Sequence, residues 1–200
     1  AQAQDGVEAV DVNYEQLPHV SDAQQATQSG GGPTVWDGIA DNQCADGWHG
    51  DVDGTQQAID GAAHVFIRSF HIDRVTGVPL EPRSALAEYF PADDHTDGSY
   101  SLIAGSGGAV RQRREIADVL GIDPSRLRVR SLDVGGNFGT RNRVYIEFAL
   151  VTWAAEQLRA PVKYTANRSE SFLSDYQGRD LRSSITLAVD SDGYFVALKA

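Results

Sequence analysis

The sequence of 200 residues predicts an α+β fold. Residues 62–75 form a run rich in β-branched and aromatic side chains, which is typical of a long strand. Residues 109–120 carry apolar side chains at helical spacing opposite a face of arginines, and Gly121 follows where a helix would end. Strand and helix patterns both recur along the chain, which is the basis of the α+β prediction.

The remaining elements follow from the same patterns. A second helix from about Val144 to Arg159 is apolar nearly all round, which predicts burial within a larger body. Residues 7–14 alternate apolar and polar, which predicts a half-buried strand, and residues 27–56, rich in Gly, Asp, Gln, Thr and Ser, predict a long loop across a domain boundary. Further strands are predicted at 84–89, 99–103, 127–132 and 161–164, with a hairpin over 183–199 that turns at 191–193.

Charge is distributed unevenly along the chain. Residues 1–60 hold eleven acidic residues and no Lys or Arg, whereas residues 61–200 hold seventeen of each sign. An acidic first third disfavours binding to nucleic acid and to anionic membranes. No run approaches eighteen apolar residues, so no membrane span is predicted. The chain has no Met, and we therefore expect it to be a segment of a longer protein.

Metal ligands are scarce. Cys44 is the sole cysteine, so it cannot form an internal disulfide or hold an iron–sulfur cluster, which needs about four thiolates. The five histidines lack the close spacing that zinc sites use. The sequence therefore predicts no metal bound by these side chains, and Cys44 is interpreted as an inert small residue.

A glycine-rich turn at 133–142 (DVGGNFGTRN) lies between a predicted strand and the apolar helix. Its three glycines allow positive φ and a close approach of the backbone to a ligand. Backbone amides ahead of a helix also favour an anion. The spacing matches neither a dinucleotide fingerprint nor a phosphate-binding loop, and turns of this kind are often purely structural.

This turn resembles the GGGFGGK segment of molybdenum hydroxylase large subunits, the family of xanthine dehydrogenase, aldehyde oxidase and aerobic carbon monoxide dehydrogenase. Asn137 replaces the third Gly and Arg141 replaces the Lys. The order and intervals of further motifs agree from about residue 5 to residue 200. With the family's pattern in parentheses, the matching segments of this chain are residues 10–18 (VDYExLP), 78–83 with 87–89 (PMEPR…AEY), 159–163 (RPVK), 167–172 (DRSExF), 178–180 (GRD) and 190–193 (DxDG).

The resemblance implies two domains. Residues 1–35 would be the C-terminal remnant of an α/β-hammerhead domain plus a linker, and residues 36–200 the first part of the molybdopterin-binding domain. The family's catalytic base is a Glu that would lie beyond Ala200, so this segment alone is expected to be inactive and to carry no catalytic residue.

The resemblance also implies site residues. Phe138 and Gly139 would lie against the molybdenum centre, although Phe138 also fits an ordinary core aromatic. Gly107 stands where relatives such as xanthine dehydrogenase and carbon monoxide dehydrogenase place a Gln beside the metal, so either a backbone amide, Ser106 or water replaces that side chain or the site differs. Asn142 takes the place of the acidic residue that contacts purines, which argues against xanthine and leaves aldehydes, carbon monoxide or N-heterocycles. The cofactor-binding set is Gly136, Asn137, Phe138, Gly139, Thr140, Arg141 and Gly107, with Asn142 in the substrate pocket.

Two groups of charged residues admit two interpretations each. Glu81 and Arg83 suggest a carboxylate beside a cation at a catalytic site, but a buried or partly buried structural pair is favoured. The three arginines of the first helix fit contacts to pterin phosphate, but solvated helix charges are favoured; they are Arg111, Arg113 and Arg114.

The implied parent is a cytoplasmic enzyme. Its cofactor would be molybdopterin, in the cytosine dinucleotide form, with Mo. Electrons would pass to [2Fe–2S] on a small subunit and FAD on a medium subunit, in a dimer of heterotrimers. The alternative is a catalytically degenerate or isolated assembly or binding module of the same fold, and Gly107 is the feature that favours it.

Overall fold

The computed structural model describes residues 2–26, 32–39 and 41–200. The chain divides into two compact units, Ala1–Ile72 with Asp180–Ala200 and Asp73–Arg179. In chain order the described elements are α1 (Gln2–Glu8), α2 (Ala23–Ala26), α3 (Val52–Asp60), β1 (His64–Thr76), β2 (Ser84–Phe90), β3 (Ser99–Ala104), α4 (Ala109–Leu120), β4 (Leu127–Arg130), α5 (Ile146–Leu158), β5 (Val162–Thr165), α6 (Arg168–Ser174), β6 (Gln177–Val189) and β7 (Phe195–Lys199).

The unit Asp73–Arg179 contains a four-stranded sheet in the order β4-β3-β2-β5. Strand β2 runs antiparallel to β3 and β5, with Ala87 opposite Leu102, while β3 and β4 are parallel. Alternate residues of β3 are buried, as expected for a sheet covered on one face. Helices α4 and α5 supply Ile116 and Phe148 to the core beneath them. The predictions for β2, β3, α4 and β5 are confirmed within one or two residues.

Helix α5 differs from its prediction in burial. Phe148, Val151 and Ala155 pack on the sheet, whereas Ile146 is 73% exposed and Trp153 is about half exposed. A single sheet can cover only one face of a helix, and the described residues supply no second layer for the other face. Within this segment only one face of α5 is therefore covered, and burial of its other face in a larger body stays a prediction.

The second sheet has the order β1-β6-β7. Strands β6 and β7 form the predicted hairpin, with Leu187 opposite Leu198 and an irregularity after Ala188. The amide of Gly193 donates to the carbonyl of Asp190, and Gly193 has φ +86°, which its missing Cβ permits. Strand β6 begins at Gln177, six residues before the predicted start of the hairpin.

The N-terminal predictions need correction. The strand expected at 7–14 is wrong, because α1 runs through Glu8 and the following residues to Ser21 are irregular. An alternating pattern forms a strand only where a partner strand satisfies its backbone groups. Part of the loop predicted at 27–56 lies outside the described residues, namely 27–31 and 40, and its end belongs to α3. The Asp51 side chain starts α3 by accepting a hydrogen bond from the amide of Gly54 at 2.9 Å.

The sequence patterns also gave no prediction for α6, which begins with a capping box between Asn167 and Glu170.

Among the described helices, none combines the length and apolar character needed to cross a membrane.

Candidate functional site

The glycine turn connects β4 to α5 as predicted. Its one regular feature is a short 3-10 turn at Thr140–Asn142. The backbone takes positive φ at Gly136 (+116°), Phe138 (+51°) and Gly139 (+86°). A bulky residue with positive φ is uncommon and costs energy, and such strain clusters at ligand sites. Phe138 is thus held in a conformation that the surrounding structure must stabilise.

The segment 77–83 packs directly against this turn. A Cβ at Gly135 would lie 2.6 Å from Cβ of Glu81, and one at Gly136 would lie 3.1 Å from Cβ of Pro79. No larger residue fits at Gly135 without moving the backbone of one segment. The glycines therefore bring the two segments into closer contact than side chains allow.

Two arginines hold segment 77–83 in place by hydrogen bonds to its backbone carbonyls. Arg168 donates to the carbonyl of Pro79 at 2.7 Å and to that of Leu80. Buried Arg141 donates to the carbonyl of Glu81 and lies 3.4 Å from its carboxylate. That carboxylate accepts from the amide of Gly135 at 2.6 Å. The predicted cofactor-binding residue Arg141 therefore has its guanidinium directed to the interior, where it supports the turn.

A second buried cluster lies under the same turn. Arg83 pairs with Asp175 and with Glu147 (2.8 Å), and its guanidinium stacks 4.3 Å from the ring centroid of Tyr145. Burial lowers the pKa of Arg83, but the two carboxylates outweigh it and the net shift is upward, so the guanidinium stays charged. The predicted Glu81–Arg83 pair is wrong, because the two residues face different partners.

Tyr145 connects the cluster around Arg83 to the glycine turn. Its hydroxyl donates to the carbonyl of Thr140 at 2.9 Å and accepts from the amide of Tyr176 at 3.3 Å. Burial is the main cause that raises the pKa of Tyr145, so the phenol remains a donor at neutral pH. The position of Thr140 is thereby tied to the buried charge cluster.

An open cleft of about 700 Å³ lies beside the turn. Phe138, Gly139 and Thr140 line it from the turn, and Phe138 is 76% exposed. That exposure excludes the core-aromatic interpretation within this unit. Three cations also line the cleft together with one carboxylate; they are Arg111, Arg143 and Arg179, with Glu115.

The three arginines of α4 were predicted either to contact pterin phosphate or to be solvated, and they differ in position. Arg111 lines the cleft and also pairs with Glu115 one helical turn away. Arg113 and Arg114 do not line that cleft and are exposed on α4. Arg143 and Arg179 were not predicted from the sequence, although Arg179 lies in the GRD motif. In the structure Arg179 takes an unusual φ of +74°. The motif was a signal that could have identified it.

Gly107 lies against the other end of the turn. Its amide donates to the carbonyl of Arg141 at 3.1 Å. A Cβ at this position would overlap Oδ1 of Asn142 and lie 2.5 Å from Nδ2 of Asn137. The fold thus brings Gly107 together with residues 136–142, which are the remaining residues selected from the sequence.

Comparison with known proteins gives consistent results. The chain is 30% identical, over 98% of its length, to the 6-hydroxypseudooxynicotine dehydrogenase complex subunit gamma of Paenarthrobacter nicotinovorans, and 30% identical, over 100% of its length, to that organism's nicotine 6-hydroxylase large subunit. The crystal structure of quinoline 2-oxidoreductase from Pseudomonas putida 86 matches 98% of the chain with a TM-score of 0.82 and 28% identity. The chain spans about a quarter (24%) of the length of each of these three proteins.

The family assignment rests on most of the chain. Residues 36–200 match the sequence profile described as the molybdopterin cofactor-binding domain. The family predicted from the motifs is thereby confirmed, and the relatives above are named as oxidoreductases. This chain belongs to the molybdopterin cofactor-binding domain family.

Proposed function

We propose that this chain forms part of the molybdenum-cofactor-binding subunit of an oxidoreductase that hydroxylates a carbon atom of an N-heteroaromatic ring. The observation that carries the proposal is the cleft in which an exposed aromatic residue and glycine backbone face three arginines. In this proposal residues 1–35 are the end of a hammerhead domain with its linker, and residues 36–200 begin the cofactor-binding domain.

The residues present fit a molybdenum–pterin cofactor. Positive φ at Gly136 and Gly139 lets backbone amides approach a flat ligand, and the arginines of the cleft match the negative charge of a phosphate. We assign cofactor contacts to the turn residues from Gly136 to Arg141 and to Gly107. Arg141 contributes through its backbone, since its guanidinium is buried against Glu81.

The overall reaction takes a substrate C–H and water to a C–OH, two protons and two electrons. When bound, the cofactor supplies the two-electron redox chemistry. This chain's residues orient the ligand, with Phe138 forming one wall of the cleft. We assign electron transfer to [2Fe–2S] and FAD on a small and a medium partner subunit, in a cytoplasmic dimer of heterotrimers with the cytosine dinucleotide form of the cofactor. The catalytic base is assigned to a segment outside these 200 residues.

Two considerations support an N-heteroaromatic substrate. The relatives named above include a nicotine hydroxylase and a quinoline oxidoreductase. Asn142, proposed for the substrate pocket, is neutral and so does not require a cationic or proton-donating substrate. Aldehydes and carbon monoxide are the competing substrates, and a turnover assay distinguishes them.

The test uses the full-length complex. We expect stoichiometric molybdenum and pterin, with faster oxidation of quinoline than of benzaldehyde or carbon monoxide. Replacing two cleft arginines (Arg143→Gln with Arg179→Gln) should lower molybdenum content, whereas Arg113→Gln, on the same unit but away from the cleft, should not. A folded complex without molybdenum would instead support the assembly-module alternative, and unchanged metal content in the double variant would refute the cleft as the cofactor site.

A further inference from the structure

Two segments that are far apart in the sequence line the cleft, and one buried side chain joins them. We call residues 138–144 the turn segment and residues 176–179 the downstream segment; both contribute lining residues, and both lie in the unit Asp73–Arg179. Tyr145 directly follows the turn segment. It is 5% exposed and is not among the residues that line the cleft.

The hydroxyl of Tyr145 makes one hydrogen bond to each segment. It donates to the carbonyl of Thr140 at 2.9 Å and accepts from the amide of Tyr176 at 3.3 Å. A carbonyl can only accept and a backbone amide can only donate, so a group that joins them must do both, as a hydroxyl does. Phenylalanine at position 145 would keep the ring and lose both bonds.

The ring of Tyr145 is itself held in place by packing. Its centroid lies 4.9 Å from that of the Tyr176 ring and 4.3 Å from the guanidinium carbon of Arg83. Arg83 also pairs with Asp175, the residue before the downstream segment, and donates to the hydroxyl of Ser174 at 2.8 Å. The phenol therefore has a defined position relative to both segments, independent of its own two hydrogen bonds.

Each segment places one cation in the cleft. Arg143 belongs to the turn segment and Arg179 to the downstream segment, and both line the cleft. An anion that contacts both arginines gains from two-point attachment only if their separation is already set before it binds. The group that joins the two segments is therefore in a position to control that gain.

We infer that Tyr145 is a positioning residue, whose hydroxyl sets the separation of Arg143 and Arg179 for an anion that binds both. This inference rests on the proposed function and names the residue that gives the cofactor cleft its width. Tyr145 acts through Thr140 and Tyr176. Loss of its hydroxyl should loosen the cleft while leaving every group that lines it in the chain.

The test measures binding of inorganic pyrophosphate and of inorganic phosphate to the full-length complex, produced without its molybdenum cofactor. Pyrophosphate is long enough to engage two arginines, whereas the smaller phosphate serves as the one-point probe. Calorimetry gives both dissociation constants, and binding that persists in Arg143→Gln with Arg179→Gln is assigned to other sites and subtracted. Tyr145→Phe should raise the Kd for pyrophosphate about tenfold, because the arginines are no longer preorganised, and the Kd for phosphate less than about twofold.

Tyr100→Phe is the matched control. Tyr100 is 4% exposed, lies in the same unit and donates its hydroxyl to Glu156 at 2.8 Å, so the variant loses a buried hydrogen bond away from the cleft. It should change the Kd for pyrophosphate by less than about twofold.

A second variant keeps the test decisive if Tyr145→Phe does not fold. The hydroxyl of Tyr176 donates to the carbonyl of Val144 at 2.9 Å, which is another bond between the two segments, and Tyr176 is 46% exposed. Tyr176→Phe should weaken pyrophosphate binding by about threefold, since an exposed hydrogen bond contributes less than a buried one. Unchanged pyrophosphate binding in this variant and in Tyr145→Phe would overturn the inference.

The remaining outcomes separate the two proposals. Equal weakening of pyrophosphate and phosphate by Tyr145→Phe, or equal effects of Tyr145→Phe and Tyr100→Phe, would overturn the positioning role, since general loosening of the fold would explain them. Pyrophosphate binding that is the same in the double arginine variant and the wild type would also overturn it. A complex that shows the expected anion binding but never contains molybdenum would refute the proposed function alone.

Discussion

Truncation of Phe138 should separate its effect on folding from its effect on cofactor retention. A fully buried Phe→Ala costs about 3–5 kcal/mol. Since about a quarter of Phe138 is buried, scaling this range gives about 1 kcal/mol for Phe138→Ala. Phe138→Gly should cost almost nothing, because glycine also relieves about 1 kcal/mol of strain at φ +51°. Molybdenum content should fall in both variants.

Urea unfolding of the cofactor-free protein gives the free energies of unfolding. Phe148, which is 1% exposed in α5, is the matched control, and Phe148→Ala should cost the full range of about 3–5 kcal/mol. If Phe138→Ala were as destabilising as Phe148→Ala, or if metal content were normal in both Phe138 variants, the assignment of Phe138 to the cofactor would be refuted.

Three further predictions concern the support of the site and of the sheet. Arg83→Met should destabilise the protein by about 3–5 kcal/mol, because it leaves buried carboxylates unpaired. Replacement of the exposed Arg114 by Met should change the free energy of unfolding by less than about 0.5 kcal/mol. Unfolding in denaturant measures both values. Tyr145→Phe should cost about 1–3 kcal/mol by the same measurement, because the carbonyl of Thr140 and the amide of Tyr176 lose their hydrogen-bond partner. Burial and the carboxylate that accepts its hydrogen bond raise the pKa of Tyr100 from 10.0 to about 12. The protein should therefore lose stability as the pH rises from about 10 through 12, and Tyr100→Phe should flatten this loss.

Local patterns predicted most of the unit that carries the site. Helix α4 and strands β2 and β3 each have a single-face periodicity, so burial on one side determines both the element and its orientation. The loop at 135–143 was predictable because a glycine-rich segment separates β4 from the apolar sequence of α5.

The elements that the sequence patterns did not predict correctly differ from their predictions for physical reasons. The start of α3 is marked by one hydrogen bond that the Asp51 side chain accepts from the amide of Gly54, in a stretch whose Gly and Gln content indicates a loop. The alternation at 7–14 meets no partner strand within the described part of the chain. Helix α5 is apolar on both sides, and composition alone does not show which side is covered.

For the site, the sequence indicated the turn but not its supports. Arg141 was selected as a cofactor ligand, yet its guanidinium faces Glu81, and Arg168 was noted within a motif without a role. The seating of Asn142 on Gly107 joins positions 35 residues apart and has no local signature. Contacts of this kind depend on the fold and are seen only in three dimensions.

The hydrogen bonds to the carbonyls of residues 79–81 also constrain the order of assembly during synthesis. Their donors lie far along the chain: Arg141 is 60 residues after Glu81, and Arg168 is 89 residues after Pro79. Contacts at such separations form late, because the intervening chain must first be brought together. A nascent polypeptide that has not yet released Arg168 from the ribosome therefore lacks a finished surface for the turn to pack on. The carbonyls of Pro79 and Leu80 therefore gain their partner only after Arg168, the first residue of α6, has been translated.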